Sequence, residues 1–430
     1  MRVVVYGLWH LGSVTAACTA AGGHHIIGLD ADEKVIADLN HGKAPIREPG
    51  LDDMIARQIA AGNLQFTTDA RFALSDAEVL WVCFDTPVTE QDEADVDFLN
   101  QRLDAVADYL RPGMLVLISS QVPVGFTASL ARRWQGKDLR FAYSPENLRL
   151  GTAIEAFTKP QRVVIGSTDA NDQRQVSQLF SGYCNEFLTM SIESAEMSKH
   201  ALNAFFAMSI AFANELARLC EVVGAGARDV ARALKSEARI GPRAYLSPGG
   251  AFAGGTLARD VRFLMGFGRE YHVDTSLMSA IVASNDVHKK WSADRVKCLL
   301  TGAADPVVAV LGLVYKVGTS TLRRSASVEL CRQLDEAGMK VQAFDPAVGE
   351  LPADLQKSIE LCGSLEQALA GADVAVVATP WPQFLKIQAD DLVRLMRRPN
   401  VVDPAWSMPG NIASDPRIAY FATGRNVDGK

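Results

Sequence analysis

The 430-residue sequence has no C-x-x-C pair, no H-E-x-x-H motif and no other histidine or cysteine grouping with ligand spacing, which sets metal catalysis aside. No run of lysine or arginine exceeds two residues, and the formal net charge is −7. The clustered basic surface that nucleic acid or an anionic membrane requires is therefore missing. No apolar stretch approaches membrane-spanning length, and the start, Met1-Arg-Val-Val-Val-Tyr6, reads as a strand rather than a secretory signal. The seven cysteines (Cys18, Cys83, Cys184, Cys220, Cys298, Cys331, Cys362) are scattered, the usage of reduced thiols, so a cytoplasmic location is expected. What remains is ordinary globular composition, 48% hydrophobic and 22% charged, in a chain long enough for two or three domains. A small-molecule partner is expected rather than a nucleic acid or a membrane.

Local patterns repeat. Val3-Val4-Val5 reads as a buried strand, Gly7 to Gly12 as a turn, Ser13 to Ala21 as a helix of small residues, and Ile26 to Leu29 as a second strand ending at Asp30. Aliphatic runs at Val79–Cys83 and Met114–Ser119 continue a parallel sheet. The theme recurs from Val307: a strand to Leu313, a turn, a helix through Leu330 and Leu334, and a strand Val341–Phe344 ending at Asp345. Val374–Ala378 and Val401-Val402 supply further strands. From about 190 to 300, strand runs give way to helical periodicity, as in Met197, Ala201, Ala204, Phe205, Met208 and Phe212. The expected fold is α/β, with two Rossmann-like, doubly wound lobes joined by a helical central domain.

The first turn, Gly7-Leu-Trp-His-Leu-Gly12, fits G-x-G-x-x-G at its first and third glycines and puts Trp9 at the second. That second glycine normally lets a pyrophosphate approach the helix N-terminus, so Trp9 is expected to crowd a dinucleotide. Asp30 stands where a carboxylate accepts hydrogen bonds from an adenosine ribose and repels a 2′-phosphate, which favours NAD over NADP.

Glu196, Lys199 and Asn203 fall at i, i+3, i+7 on the central helical pattern and so share a face. By themselves they read as a surface ion pair beside a solvated amide.

Several blocks together resemble the UDP-glucose/GDP-mannose (nucleotide-sugar 6-) dehydrogenases. Asn40–Leu51 is similar to N-x-G-x-x-P-I-x-E-P-G-L, and Asp85-Thr86-Pro87 with Asp95-Val-Asp97 to G-T-P…D-L-D, with Asp85 in place of glycine. Ser144–Ile154 resembles S-P-E-F-L-R-E-G-T-A-I, Tyr245–Asp260 the active-site loop, and Leu311–Lys316 with Thr319 and Arg323 the L-G-L-x-F-K…T-D-D-x-R stretch. The resemblance implies NAD held by Gly7, Trp9, His10, Leu11, Gly12, Asp30, Lys34, Thr86, Pro87, Gln121 and Glu146. It implies catalysis by Lys199, Asn203 and Asp260, and an anionic substrate at Arg239, Tyr245, Gly249, Lys316 and Arg323, with Arg239 reaching the site of a homodimer partner. The implied domains are dinucleotide-binding over 1–188, helical and dimerising over 189–300, and Rossmann-like, substrate-binding over 301–430.

The departures from that pattern concentrate on one half of the family's reaction. The family oxidises an alcohol to an aldehyde, captures it on a cysteine, oxidises it again and hydrolyses the thioester to a uronate. Here Thr256 stands at the cysteine, Leu150 replaces the second glutamate of P-E-F-L-R-E, and Gln121 replaces the threonine of S-T-V-P-V-G. A hydroxyl needs an adjacent strong base to match a thiol as nucleophile. On the substrate side, Ser320 and Thr321 replace the paired acids, Arg324 adds a charge, and the late D-x-R-N segment reads Asp403-Pro-Ala-Trp406. The expected activity is one two-electron alcohol/carbonyl interconversion on a nucleotide sugar or a small phosphorylated, phosphonate or carboxylate hydroxy acid. The rivals are a complete uronate-forming dehydrogenase and a non-catalytic nucleotide-binding homologue.

Overall fold

The computed structural model describes residues 1–87, 95–253, 256–323 and 325–425. The extra charge noted at Arg324 and the loop glycines Gly254 and Gly255 lie outside these residues. The chain divides into two compact units, 1–202 and 203–430, with the long helix Ile192–Val223 running from one into the other.

The first unit is built on an eight-stranded sheet: β1 (Arg2–Tyr6), β2 (His25–Leu29), β3 (Leu64–Thr67), β4 (Val79–Val82), β5 (Leu115–Ile118), β6 (Arg140–Tyr143), β7 (Val163–Gly166) and β8 (Phe187–Met190). Their spatial order is β3-β2-β1-β4-β5-β6-β7-β8, and every neighbouring pair is parallel except β6 with β7. Strand order reverses between β1 and β4, the crevice where doubly wound folds place their ligands. Val3, Val4 and Val5 are buried on both faces, as parallel strands under helices must be, each fully buried aliphatic adding about 1.5–3 kcal/mol.

The helix after β1 starts at His10, earlier than the small-residue run suggests, and ends at Ala21. Trp9 supplies no side-chain cap to it. Its small residues let it lie close on the sheet. A Cβ on Gly12 would sit 1.7 Å from the Gly7 carbonyl oxygen, so only glycine permits that approach.

In the second unit, β9 (Val307–Leu311), β10 (Lys340–Phe344), β11 (Glu360–Leu361), β12 (Val374–Val377), β13 (Asn400–Val402) and β14 (Ala419–Phe421) form a parallel sheet ordered β11-β10-β9-β12-β13-β14. That is the order of the first six strands over again. Before it come helices at Ala227–Ser236, Thr256–Tyr271, Ser276–Lys289 and Trp291–Leu299, and no strand falls between β8 and β9 among the described residues. A separate apolar cluster of Ala204, Ala207, Ala211, Phe252, Ala258, Val261 and Ile281 joins three of the helical stretches.

Candidate active site

β1 ends in the turn at Gly7, whose φ of 92° and 2.7 Å approach to the Phe84 ring both exclude a side chain. Asp30, at the end of β2, accepts the Leu8 amide at 2.7 Å on one oxygen and the Asp32 amide at 3.1 Å on the other, and stays partly open to solvent. Gly7, Leu8, Trp9, Asp30, Phe84, Asp85, Phe98 and Arg102 line a cleft of about 280 Å³ at the β1/β4 reversal. Trp9 is 50% exposed, so its indole is not wedged into the sheet and helix junction. His10 turns to Glu48 at 3.0 Å, Leu11 is buried, and Lys34 is exposed on the helix after β2. The Thr86 hydroxyl donates to the Gln121 carbonyl at 2.8 Å, and Pro87 is exposed.

The helix Ile192–Val223 contradicts the surface reading of its polar residues: Glu196, Lys199 and Asn203 are all buried. Sharing a face, they nonetheless take different partners. The Glu196 carboxylate accepts the Gly125 amide at 2.6 Å, the Thr127 amide at 3.0 Å and the Thr127 hydroxyl at 2.7 Å, capping the helix Phe126–Arg133. Burial pushes its pKa up, against those donors. Lys199 donates to the Glu146 carbonyl at 2.5 Å and to its carboxylate at 3.3 Å, which ties Glu146 to the lysine. Asn203 donates to the fully buried carboxylate of Asp260. Thr256 opens the helix that carries Asp260 one turn later, and it is exposed.

None of the seven cysteines lies in the 245–260 segment. Cys220 and Cys331 are buried, and burial raises both thiols, Cys331 to about 12. Cys83, beside the dinucleotide turn, is also buried and held well above its ordinary pKa.

The loop before Thr256 is fixed by side chains that the sequence did not single out. Asn214 accepts the Gly249 amide at 2.9 Å and donates to the Gly250 carbonyl at 3.1 Å. Asn285 makes both backbone bonds of Phe252, at 3.0 and 2.9 Å, and His288 bonds the Gly249 carbonyl at 2.8 Å. Burial lowers the His288 pKa to about 4. Tyr245, on the same loop, is exposed and meets Phe206 edge-on, ring centroids 5.8 Å apart. Arg239 pairs with Glu237 at 2.8 Å on the surface. Lys316 and Arg323 are exposed on the loop between β9 and the helix Ala326–Glu336. A second group of cations was also missed: Arg228, Arg232 and Lys235, at i, i+4, i+7 on one helix, line a cleft of about 660 Å³ with Ser247 and Trp406. Arg228 lies over the Trp406 ring at 4.7 Å.

The second glycine turn repeats the first but with a buried aspartate. Gly312 also has φ 92°, and its amide bonds β10 as the Gly7 amide bonds β2. Asp345, however, is buried and accepts Leu313, Val314, Ala347 and the Trp381 indole. Asp30, with only two such donors and an open side, is the one of the pair that suits a ribose.

A doubly wound unit with an open glycine turn and carboxylate, followed by a helical stretch and a second such sheet, belongs to the class of dinucleotide-binding folds. Comparison with known proteins gives the particular kind. The descriptions "UDP-glucose/GDP-mannose dehydrogenase family" NAD binding domain, central domain and UDP binding domain match residues 1–183, 193–287 and 309–407. The UDP-glucose 6-dehydrogenase of Rhizobium meliloti (strain 1021) is 32% identical, with 94% of each chain covered. That of Pseudomonas aeruginosa is also 32% identical, over 94% of this chain and 93% of its own. The structure of a UDP-glucose dehydrogenase from Pyrobaculum islandicum superposes with a TM-score of 0.88 at 28% identity, covering 98% of this chain and 97% of that one. The chain belongs to the UDP-glucose/GDP-mannose dehydrogenase family. It is an NAD-dependent nucleotide-sugar dehydrogenase acting on CH–OH, and its C-terminal UDP-binding domain takes an anionic substrate. Among the described residues no helix is long and apolar enough to cross a membrane.

Proposed function

We propose that this chain carries out one two-electron step, interconverting an alcohol and a carbonyl on a nucleotide sugar, and stops there. The observation that carries the reading is Thr256, which stands at the position of the cysteine that family members use to hold the aldehyde. Lys199 and Asn203, one helical turn apart, are the proposed donors to the reacting oxygen: a buried ammonium and amide stabilise an alkoxide or polarised carbonyl. The Asp260 carboxylate, aligned by Asn203, takes the hydroxyl proton as C=O forms. NAD, held at Gly7, Gly12 and Asp30, supplies the hydride acceptor. Passing from aldehyde to acid needs a covalent adduct or an activated water. Thr256 offers an alcohol where the first route needs a thiolate, while Leu150 removes a carboxylate and Gln121 exchanges a hydroxyl for an amide at positions that the family uses for the second.

Recognition of the substrate is assigned to Arg239, Tyr245, Gly249, Lys316 and Arg323, with the boundaries 1–188, 189–300 and 301–430 for the domains. A homodimer, as proposed here, is supported by Phe205, Phe212 and Leu219, which are exposed at seven-residue spacing along the long helix and would leave an apolar stripe in water. A cytoplasmic location goes with the unpaired cysteines. The alternative, a full four-electron oxidation to a uronate, is favoured by the relatives' names, UDP-glucose 6-dehydrogenase. Product analysis separates them. Incubation with NAD and a panel of UDP- and GDP-sugars, followed by hydrazide trapping and mass determination, is expected to give a trapped carbonyl product; a uronate without trappable intermediate overturns the proposal.

A further inference from the structure

The helix His10–Ala21 has no local side-chain cap at its N-terminus. Asp32, Asp69, Asp95 and Asp169 each cap the helix that follows them, whereas Trp9 makes no side-chain cap and the first turn of its helix contains no acidic residue. Helix N-termini left open in this way, after a strand and a glycine turn, receive a cofactor's phosphates. Here the position is taken from within the unit. The Asp85 carboxylate, from the end of β4, accepts the Leu11 amide at 3.1 Å. It lines the β1/β4 cleft together with Gly7, Leu8, Trp9 and Asp30. Asp85 is open to that cleft. Surrounding protein nevertheless desolvates its carboxyl enough to push its pKa to about 6, while the Leu11 and His10 amides and the His10 ring oppose the shift and Glu146 adds to it. In the family pattern this residue is glycine, as the G-T-P alignment of Asp85-Thr86-Pro87 indicates, with no carboxylate to offer.

We infer that Asp85 is a built-in anionic occupant of the pyrophosphate position and sets the affinity for NAD: the cofactor must displace this carboxylate from the Leu11 amide before its own phosphates can bind. The argument concerns cofactor binding alone and holds whether one hydride or two are transferred. Displacing a negative charge by a dianion at one set of amides costs binding through both repulsion and the exchanged hydrogen bond. The test is calorimetric titration of the full chain at pH 7.5, as wild type, D85G and D85N, with NAD, ADP-ribose and adenosine. D85G restores the glycine, and D85N removes the charge while keeping the side chain, so one of the two reports even where the other fails to fold. Kd for NAD and ADP-ribose is expected to fall about tenfold or more in both variants, with adenosine binding unchanged. Unchanged or weaker NAD binding in a folded variant overturns the inference, as does equal tightening of adenosine, which carries no phosphate.

Discussion

His288 holds the loop before Thr256 as a neutral ring. Its pKa lies near 4 in the fold, because burial disfavours the imidazolium, against about 6.5 in the unfolded chain. A depressed histidine contributes stability that is complete above its unfolded pKa and is lost as pH falls toward the folded value. Between pH 7 and pH 4 the loss from this group is expected to reach about 3 kcal/mol. In H288Q, whose amide can keep the Gly249 bond without titrating, denaturant unfolding should show a correspondingly smaller acid loss; equal losses in both proteins would contradict the assignment. Thr256 is the other residue with a sharp consequence. Combining T256C with L150E and Q121T returns the thiol, the carboxylate and the hydroxyl of the family pattern to these positions. The triple variant should yield a carboxylate product and a second NADH, whereas an unchanged product spectrum would show that more than these side chains limits the reaction. Neither the loop bond of His288 nor the Leu11 bond of Asp85 was legible in the sequence, although Asp85 stood out there as a replaced glycine. His288 meets its loop partner from 39 residues away and Asp85 meets Leu11 from 74, and nothing in local spacing encodes such pairings.

Among the elements, burial made several strands legible, although β7, Val163-Val-Ile-Gly166, is fully buried and was missed. Strands β1, β4, β5, β9 and β12 were readable because parallel strands covered on both faces become aliphatic runs, as in Val3-Val4-Val5 and Val374-Ala-Val-Val377. β6, Arg140-Phe-Ala-Tyr143, and β8, Phe187-Leu-Thr-Met190, are only partly buried and carry neither a run nor a clean alternation, so they were missed. The polar face of the long helix was legible as a face but not as three separate contacts, since Glu196, Lys199 and Asn203 diverge to a helix cap, Glu146 and Asp260. The glycine turn holds the tightest glycine approach of the first unit. G12A places a methyl 1.7 Å from the Gly7 oxygen and forces the helix off β1, and a loss of about 3 kcal/mol or more is expected, with weakened NAD binding. G136A, at a site with nothing within 4 Å, is the control and should change stability little. Equal effects in chemical denaturation would dismiss the close-packing argument.

Over the whole molecule, the same strand order is used twice for different ends. In the first unit the glycine turn and Asp30 stay open at the β1/β4 reversal; in the second, Asp345 is buried under four donors. The duplication was visible in the sequence as strand, turn, helix, strand, aspartate. Which copy remains open was not, because it depends on Trp381 bonding Asp345 from 36 residues away. The family's architecture is retained across the chain, and the proposed two-electron reading rests on the replacements Thr256, Leu150 and Gln121. The most direct test is electron stoichiometry. With a limiting amount of an accepted nucleotide sugar and excess NAD, in the presence of a carbonyl trap to draw the reaction to completion, NADH absorbance is measured at the end point. One NADH per sugar consumed is the predicted result, and two NADH per sugar, with one carboxylate formed, would contradict it.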